Sequence, residues 1–413
     1  MVLQRGMPLY EMEKQETVGE KPDGNMVIRG ECVSACAYLK EQGIQVDLVY
    51  IDPPFASGAD YAKKVYIRRN PKVAEAIAQA EQELDIDELK AFEEKMYGDV
   101  WDKEKYLNWM YENLMAIKSV MSETASIYVH LDWHIGHYVK ILMDEIFGED
   151  NYRNEIIWQR ANAHSDTKQG AAHYGRMHDV IFYYALSDQA PFNMQYIPYD
   201  DAYIQQYYKS IEPETGRRYW LDNLQGPGGA SKGNPYYEVM GVSRYWRYSR
   251  EHMEELIAQG RVIQTTPGTV PKFKRYLDEM PGKPVQDMWM DLKSLGGLGS
   301  LVEERSDYAT QKPEALLDRI ISASSDEEML VADFFGGSGV TAAVAAKLGR
   351  RFIHCDIGLN SIQTTRDRLK ANGAEFDVLE IKDGVQLYRN PVQTMEKIKS
   401  LIPGLKNEDA LVD

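Results

Sequence analysis

The sequence feature that most constrains the fold is a glycine-rich turn between a short apolar segment and a helical one. Residues 329–341 read MLVADFFGGSGVT, an apolar run followed by three glycines and then by helix-favouring residues. Gly336, Gly337 and Gly339 permit positive φ angles and close backbone approach where a strand meets a helix N-terminus. The pattern predicts a strand–turn–helix unit with a nucleoside pocket at the turn, although a purely structural tight turn is the alternative. Because no G-K-[ST] follows, a triphosphate P-loop is not indicated.

Short apolar segments alternate with amphipathic helical patterns on both sides of the middle of the chain. The segments predicted as buried strands are 46–51, 126–131, 155–159, 180–185, 329–334, 352–357 and 376–381. The segments predicted as helices are 106–121, 137–147, 314–323, 340–348 and 361–371. This alternation predicts an α/β fold with a doubly wound, mostly parallel sheet of the Rossmann-like kind.

The middle of the chain has a different composition. Residues 203–285 contain 12 Tyr, Trp or Phe and 12 Lys or Arg against 9 Asp or Glu, a net charge of +3 within a chain whose net charge is −17. Basic and aromatic side chains together suit backbone tracking and base contact on a nucleic acid, whereas a Tyr-rich core with solvated Arg is the plainer alternative. The segment therefore predicts an inserted second domain.

A second motif, Asp52-Pro53-Pro54-Phe55, follows the apolar run VDLVYI. Two prolines stop the hydrogen-bond ladder and fix the backbone, which leaves the carboxylate at the carboxyl edge of the sheet. Asp356 ends the predicted strand about 20 residues after Gly336, where a carboxylate can reach a ribose. Ligands of open α/β sheets bind outside the carboxyl ends of the strands, so both motifs are expected to face one crevice.

Other features restrict the class of protein. Cys32, Cys36 and Cys355 lack the spacing of a zinc site, and we expect them to be buried apolar side chains. His130 and His134 alternate with Asp132, but a role at the end of a strand is favoured over metal binding, and we predict no metal site. Without a long apolar run or a signal peptide, we expect a cytoplasmic protein without a membrane segment.

DPPF followed much later by DFFGGSGVT resembles the β-class, or permuted, amino-methyltransferases of DNA. Further matching segments are GE at 30–31, HLDW at 130–133, DEIFGEDNYRNEIIWQR at 144–160, GRMHDVIFYY at 175–184 and TQKPEALLDRII at 310–321. The chain is most similar to the modification subunits of type III restriction systems and their solitary relatives. The resemblance covers about residues 24–378.

The resemblance implies S-adenosylmethionine as cofactor and assigns site residues. The implied cofactor residues are Thr310, Gln311, Lys312 and Pro313 at the methionine end, Asp333, Phe335, Gly336, Gly337, Ser338 and Gly339 at the turn, and Asp356 on the ribose. Asp52, Pro53, Pro54 and Phe55 would form the catalytic site for an extruded adenine. Phe334 and Gly336 depart mildly from the usual motif. Arg247, Lys272, Lys274 and Arg275 are our candidates for DNA contact.

These assignments predict five parts of the chain. They are an N-terminal extension (1–23), a catalytic half (24–200) with an acidic helical insert (71–97), a target-recognition insertion (201–304), a cofactor-binding half (305–384) and a C-terminal extension (385–413).

The expected function is methyl transfer to the N6 amino group of a flipped adenine in double-stranded DNA, in the prokaryotic nucleoid. Three alternatives remain at this point: a cytosine N4 enzyme, a NAD-dependent oxidoreductase and a catalytically idle DNA-binding protein. A second copy of the chain and a restriction subunit are further partners that the resemblance leaves open.

Overall fold

The computed structural model describes residues 10–54, 103–160, 172–292, 294–295 and 311–383. Several sequence predictions lie outside these residues, namely those for Phe55, Thr310, the acidic segment 71–97 and the extension 385–413. The chain divides into two compact units, one comprising Met1–Asn193 with Gln286–Asp413 and the other Met194–Val285.

The described elements are numbered along the chain. The strands are β1 (Tyr10–Val18), β2 (Met26–Arg29), β3 (Val46–Ile51), β4 (Met121–Leu131), β5 (Tyr152–Gln159), β6 (His178–Ala185), β7 (Tyr196–Ile197), β8 (Ser210–Ile211), β9 (Arg218–Asn223), β10 (Tyr236–Val239), β11 (Val242–Tyr245), β12 (Val262–Ile263), β13 (Lys272–Tyr276), β14 (Lys283–Pro284), β15 (Met288–Trp289), β16 (Leu330–Asp333), β17 (Arg351–Asp356) and β18 (Phe376–Asp383). The helices are α1 (Cys32–Glu41), α2 (Lys103–Lys118), α3 (Gly136–Phe147), α4 (Asp201–Tyr207), α5 (Arg250–Ala258), α6 (Glu314–Ser324), α7 (Val340–Lys347) and α8 (Leu359–Ala371).

The first unit is built on one mixed sheet with the strand order β1-β18-β2-β17-β16-β3-β4-β6-β5-β15. Neighbours from β18 to β4 run parallel, whereas β6 is antiparallel to both β4 and β5. β1 pairs antiparallel with β18. The predicted α/β class with a mostly parallel sheet is therefore confirmed.

Apolar side chains of the central strands form the core of this unit. Leu48, Val49 and Ile51 of β3 are fully buried, as expected for a strand covered on both faces. Burial of an aliphatic side chain of this size stabilises the fold by about 1.5–3 kcal/mol. All three cysteines are buried and free, as predicted.

Asp47, near the start of β3, connects this strand to both of its neighbours in the sheet. Asp47 Oδ1 accepts a hydrogen bond from Ser122 Oγ of β4 at 3.0 Å, and Oδ2 accepts the Leu330 backbone N–H of β16 at 3.0 Å. One side chain thus links the amino ends of three strands. β16 is consequently held beside β3 although the two strands lie far apart in sequence.

The predicted strands and helices of the first unit appear with their ends shifted by up to five residues. β1 was not predicted because its sequence, YEMEKQETV, has no apolar run. It is placed by its antiparallel pairing with β18, and two exposed ion pairs add to this contact: Lys14 pairs with Asp377 at 2.8 Å, and Lys370 pairs with Glu16 at 2.9 Å. None of the described helices is long and apolar enough to cross a membrane.

The second unit has its own small core. An antiparallel sheet, β12-β13-β9-β8, stands with the hairpin β10-β11 and the pair β14-β7. Trp246 is fully buried and donates its indole N–H to the Tyr237 carbonyl at 2.8 Å, among side chains of Leu224, Met253 and Leu256. The compact unit spans Met194–Val285, and β15, which follows it, pairs with β5 of the main sheet. The target-recognition insertion over 201–304 stays a prediction.

Candidate active site at the carboxyl edge of the sheet

The two sequence motifs meet at one edge of the sheet. β3 and β16 are adjacent and parallel, with Leu48 opposite Val331 and Val49 opposite Ala332. Asp52 follows β3, and Asp333 ends β16, so both carboxylates lie at the carboxyl ends of neighbouring strands. The next neighbour of β16 on its other side is β17, which ends at Asp356. A crevice at the carboxyl ends of adjacent parallel strands is the usual ligand site of an open α/β sheet.

The two carboxylate oxygens of Asp52 have different surroundings. Oδ2 forms an ion pair with Lys312 Nζ, whereas Oδ1 is buried and has no hydrogen-bond partner within the described residues. Lys312 lies two residues before α6 and is mostly buried. The resemblance implied a place for Lys312 at the methionine end of the cofactor, and the structure places it on Asp52.

The glycine turn packs directly on the neighbouring elements. Gly337 and Gly339 have φ angles of 51° and 73°, in the left-handed region. A Cβ atom on Gly336 would lie 2.1 Å from His354 Nδ1 of β17, and one on Gly339 would lie 2.4 Å from Thr365 Oγ1 of α8. Close packing therefore requires glycine at positions 336 and 339, and the shape of the turn favours glycine at 337 and 339.

Two aspartates hold the turn through its backbone. Asp333 accepts the Phe335 N–H at 3.0 Å and the Thr341 hydroxyl at 2.6 Å, one with each oxygen. Asp356 accepts the Gly337 N–H at 3.0 Å and the Gly358 N–H at 2.8 Å. Ser338, also assigned to this turn, is buried. The carboxylates that the resemblance assigned to the cofactor thus also shape the loop.

The crevice is acidic. Burial raises the pKa of Asp333 to about 7; hydrogen bonds from Thr341 and Phe335 act in the opposite direction, and the charges of Asp52 and Asp356 add to the rise. Like charges this close disfavour the ionised form of each other. A ligand with a positive charge would relieve this repulsion.

Aromatic side chains of α2 border the site. Their place there was not predicted from the sequence. Tyr106 and Trp109 have ring centroids 5.6 Å apart, and Trp109 contacts Phe335 edge-on, also at 5.6 Å. Burial, followed by the charges of Asp132 and Asp52, raises the pKa of the Tyr106 hydroxyl. Tyr106 and Trp109 lie three residues apart on one face of a helix, and this spacing is visible in the sequence. The same spacing is equally typical of ordinary core packing.

The arrangement suits the cofactor that the resemblance implies. S-adenosylmethionine carries a sulfonium cation, which fits a crevice bordered by Asp52, Asp333 and Asp356. Asp356 ends β17 beside the turn and accepts the Gly337 and Gly358 N–H groups, and the resemblance implies that the same carboxylate accepts a ribose hydroxyl. Phe335 and Trp109 offer an apolar surface to the adenine ring. These residues would hold the nucleoside.

A buried polar chain lies next to Asp52. Tyr50 Oη is 2.8 Å from His130 Nδ1, and His130 Nε2 is 3.2 Å from Asp179 Oδ2. His134 instead pairs with Asp132, at 2.6 Å. The two histidines therefore belong to separate contacts, and within the described residues no group of His, Cys, Asp and Glu has the geometry of a metal site.

The four candidate DNA-contact residues lie in the second unit, and three of them face acidic partners there. Lys274 Nζ is 2.9 Å from Glu212, Arg275 is 2.7 Å from Asp222, and Arg247 is 3.7 Å from that same carboxylate. Lys272 is half-buried on the same strand as Lys274. Their contact with DNA remains a prediction.

Sequence comparison identifies known proteins that are similar to this chain. A family model described as DNA methylase, N6_N4_Mtase, matches residues 46–367. The StyLTI Mod subunit of a Salmonella typhimurium type III restriction-modification enzyme is 26% identical over an alignment of 370 residues that covers 84% of this chain and 54% of that protein. The DNA adenine methyltransferase YhdJ of Escherichia coli is 22% identical over 348 residues, 84% of this chain and 83% of that protein.

Among solved structures, the M1.HpyAVI–SAM complex matches with a TM-score of 0.41 and 14% identity, covering 83% of this chain and 98% of that one. The chain spans between about half and two thirds of the length of the first curated relatives it matches.

Proposed function

Since this chain belongs to the N6/N4 DNA methylase family, we propose that it transfers a methyl group from S-adenosylmethionine to the N6 amino group of an adenine flipped out of double-stranded DNA. The observation that carries the proposal is the adjacency of β3 and β16. It places the Asp52 carboxylate and the glycine turn at the same edge of one sheet. A site for the amino group that receives the methyl group and a site for the sulfonium can therefore share one crevice.

The residues after β3 supply what an exocyclic amine needs. Its lone pair is delocalised into the ring, so the nitrogen becomes nucleophilic only when its two N–H groups are drawn towards acceptors. Asp52 Oδ1 and the Pro53 carbonyl are such acceptors, and they favour a pyramidal nitrogen. Holding the two reactants in line can supply about 7–11 kcal/mol of the barrier. The methyl group would then pass directly from sulfur to nitrogen without a covalent intermediate on the protein: the sulfur–methyl bond breaks as the nitrogen–methyl bond forms, S-adenosylhomocysteine leaves, and the nitrogen loses one proton, ultimately to solvent.

The target base has to leave the helix before it can reach Asp52. Flipping costs a few kcal/mol, and an aromatic platform offsets part of that cost by stacking. Phe55 is the residue we propose for this platform; it lies outside the described residues. The second unit, with its aromatic and basic composition, is proposed to recognise the DNA target.

Two observations favour adenine. Position 52 carries an acid, where cytosine N4 enzymes of this family usually carry Ser. The printed name of the relative YhdJ is that of an adenine enzyme. Both bases present an exocyclic amine in a similar setting, so cytosine N4 is the competing outcome of the test below.

Single-molecule sequencing of DNA from cells that express the chain tests the proposal. We expect N6-methyladenine in one sequence context with the natural chain, and none with Asp52→Ala. Asp188→Ala, at an aspartate whose side chain is 94% exposed, serves as the matched control and should methylate normally.

Calorimetry separates transfer from binding: Asp52→Ala should bind S-adenosylmethionine within a few-fold of the natural affinity. Detection of N4-methylcytosine in place of N6-methyladenine would identify cytosine, not adenine, as the base that is methylated. Unmodified DNA together with intact cofactor binding would contradict the proposal.

A further inference from the structure

Tyr50 and Asp52 begin and end a line of polar side chains along the carboxyl edge of the sheet. Tyr50 is the penultimate residue of β3, and Asp52 directly follows the strand. The hydroxyl of Tyr50 contacts His130 of β4, and His130 contacts Asp179 of β6. Tyr50, His130 and Asp179 are almost completely buried.

Lys312 interacts with Asp52 directly and with Asp179 through its charge. Its ammonium forms the ion pair with Asp52 Oδ2. It is also close enough to Asp179 to affect that group: burial would raise the pKa of Asp179, but the hydrogen bond and charge of His130, with the charges of Arg160 and Lys312, hold it below its ordinary value. One cation thus interacts with two acidic groups on different strands.

Burial keeps the ammonium of Lys312 and the carboxylate of Asp52 paired. An unpaired ion in the interior costs several kcal/mol, so a lysine ammonium that is only 14% exposed has to stay near its carboxylates. Asp52 is held in turn, since one of its oxygens is bound to Lys312. The other oxygen, Oδ1, is buried with no donor among the described residues. A buried acceptor without a donor is unfavourable, and an N–H group from a substrate would satisfy it.

We propose that Lys312 is a positioning residue for the acceptor base: it anchors Asp52 through Oδ2 and so leaves Oδ1 for the amino group that is methylated. This inference rests on the proposed function. It differs from the assignment of Lys312 to the methionine end of the cofactor, which the resemblance implies.

The two roles have different kinetic consequences. A residue that holds the methionine end contributes to cofactor affinity, and its loss is compensated at saturating S-adenosylmethionine. A residue that orients Asp52 contributes to the transfer step, and saturation does not compensate its loss. A misplacement of about 1 Å at the reacting groups can cost about 100-fold in rate.

The experiment compares Lys312→Met with Lys347→Met. Lys347 forms another lysine–carboxylate ion pair of the same unit, with Glu314 at 2.5 Å, on the exposed side of α7. For each full-length chain, calorimetry gives the affinity for S-adenosylmethionine. Single-turnover transfer of a tritiated methyl group to unmethylated genomic DNA, with cofactor and protein saturating, gives the rate of transfer.

We expect Lys312→Met to lower the transfer rate by about 100-fold while the cofactor affinity stays within about fivefold. Lys347→Met should match the natural chain in both measurements. Lys312→Arg, which keeps the charge, should recover part of the lost rate. If Lys312→Met does not fold, as judged by the loss of cofactor binding and of the thermal transition together, Lys312→Gln takes its place.

Weakened cofactor binding with an unchanged rate at saturation would overturn the inference and return Lys312 to the methionine end. An unchanged rate and affinity would also overturn it, while leaving the proposed function intact. A natural chain that binds the cofactor but transfers no methyl group would instead overturn the proposed function, and the inference with it.

Discussion

At the scale of single residues, the three aspartates at the strand ends differ in what their carboxylates contact. Asp333 and Asp356 use their oxygens on the backbone N–H groups and the hydroxyl of the glycine turn. Asp52 instead binds a side chain, Lys312, through one oxygen. The identity of these acids was visible in the sequence from their places at strand ends. Their partners were not, because Lys312 lies 260 residues from Asp52 and only the sheet brings the two together.

The raised pKa of Asp333 predicts a pH-dependent stability. The value of about 7 in the folded chain, against an ordinary 3.8, means that the folded state binds this proton more tightly than the unfolded state. The stabilisation is fully present below about pH 4 and is lost as the pH rises through about 7. A shift of this size corresponds to at most about 4 kcal/mol.

Asp333→Asn removes the titration. We therefore expect the natural chain to lose free energy of unfolding between pH 5 and pH 8, and the variant to lose clearly less over the same interval, as measured by urea denaturation. Equal slopes for the two proteins would show that Asp333 does not titrate in this range.

At the scale of elements, the turn between β16 and α7 shows both what a sequence pattern predicts and where it stops. Three glycines after an apolar run predicted the turn and its place at the sheet edge. The reason for Gly336 was not predictable, because the His354 imidazole that fills the space of its Cβ comes from the neighbouring strand β17. His354 is fully buried and its pKa is lowered by burial to about 3, so a neutral ring packs against the turn.

This packing predicts a pair of coupled substitutions. Gly336→Ala should weaken S-adenosylmethionine binding and lower stability by about 1–3 kcal/mol, the usual cost of overpacking. His354→Ala opens the space that the new methyl group needs, so the double variant should lose less than the sum of the single losses. Calorimetry and urea denaturation of all four proteins give a coupling energy, expected at about 0.5–3 kcal/mol. Strict additivity would mean that the ring and the turn do not compete for space.

At the scale of the whole molecule, composition separated the second unit from the rest before its structure was known. Residues 203–285 carry +3 of a total of −17, which leaves −20 elsewhere. The polar strand β1 had no comparable signal, since its partner β18 lies more than 350 residues away in the sequence. The α2 aromatics were likewise hidden, because amphipathic spacing alone does not say which buried face borders a ligand.

The separate core of the second unit predicts separable unfolding. Trp246→Ala removes the largest fully buried side chain of that unit and should destabilise it by about 3–5 kcal/mol. Hydrogen exchange should then accelerate within 194–285, while β3 and β16 keep their protection and cofactor affinity is retained. If cofactor binding and the protection of β3 were lost together with the second unit, the two cores would not be independent.

The pairing of β3 with β16 also determines when the crevice can form during translation. At about 5–20 residues per second, a ribosome takes roughly 14–56 s to add the approximately 280 residues between Asp52 and Asp333. Throughout that interval the nascent chain already contains the proline-stiffened acid but not β16, the neighbouring strand that leads into the glycine turn. The crevice therefore forms only late in translation, when β16 pairs with β3.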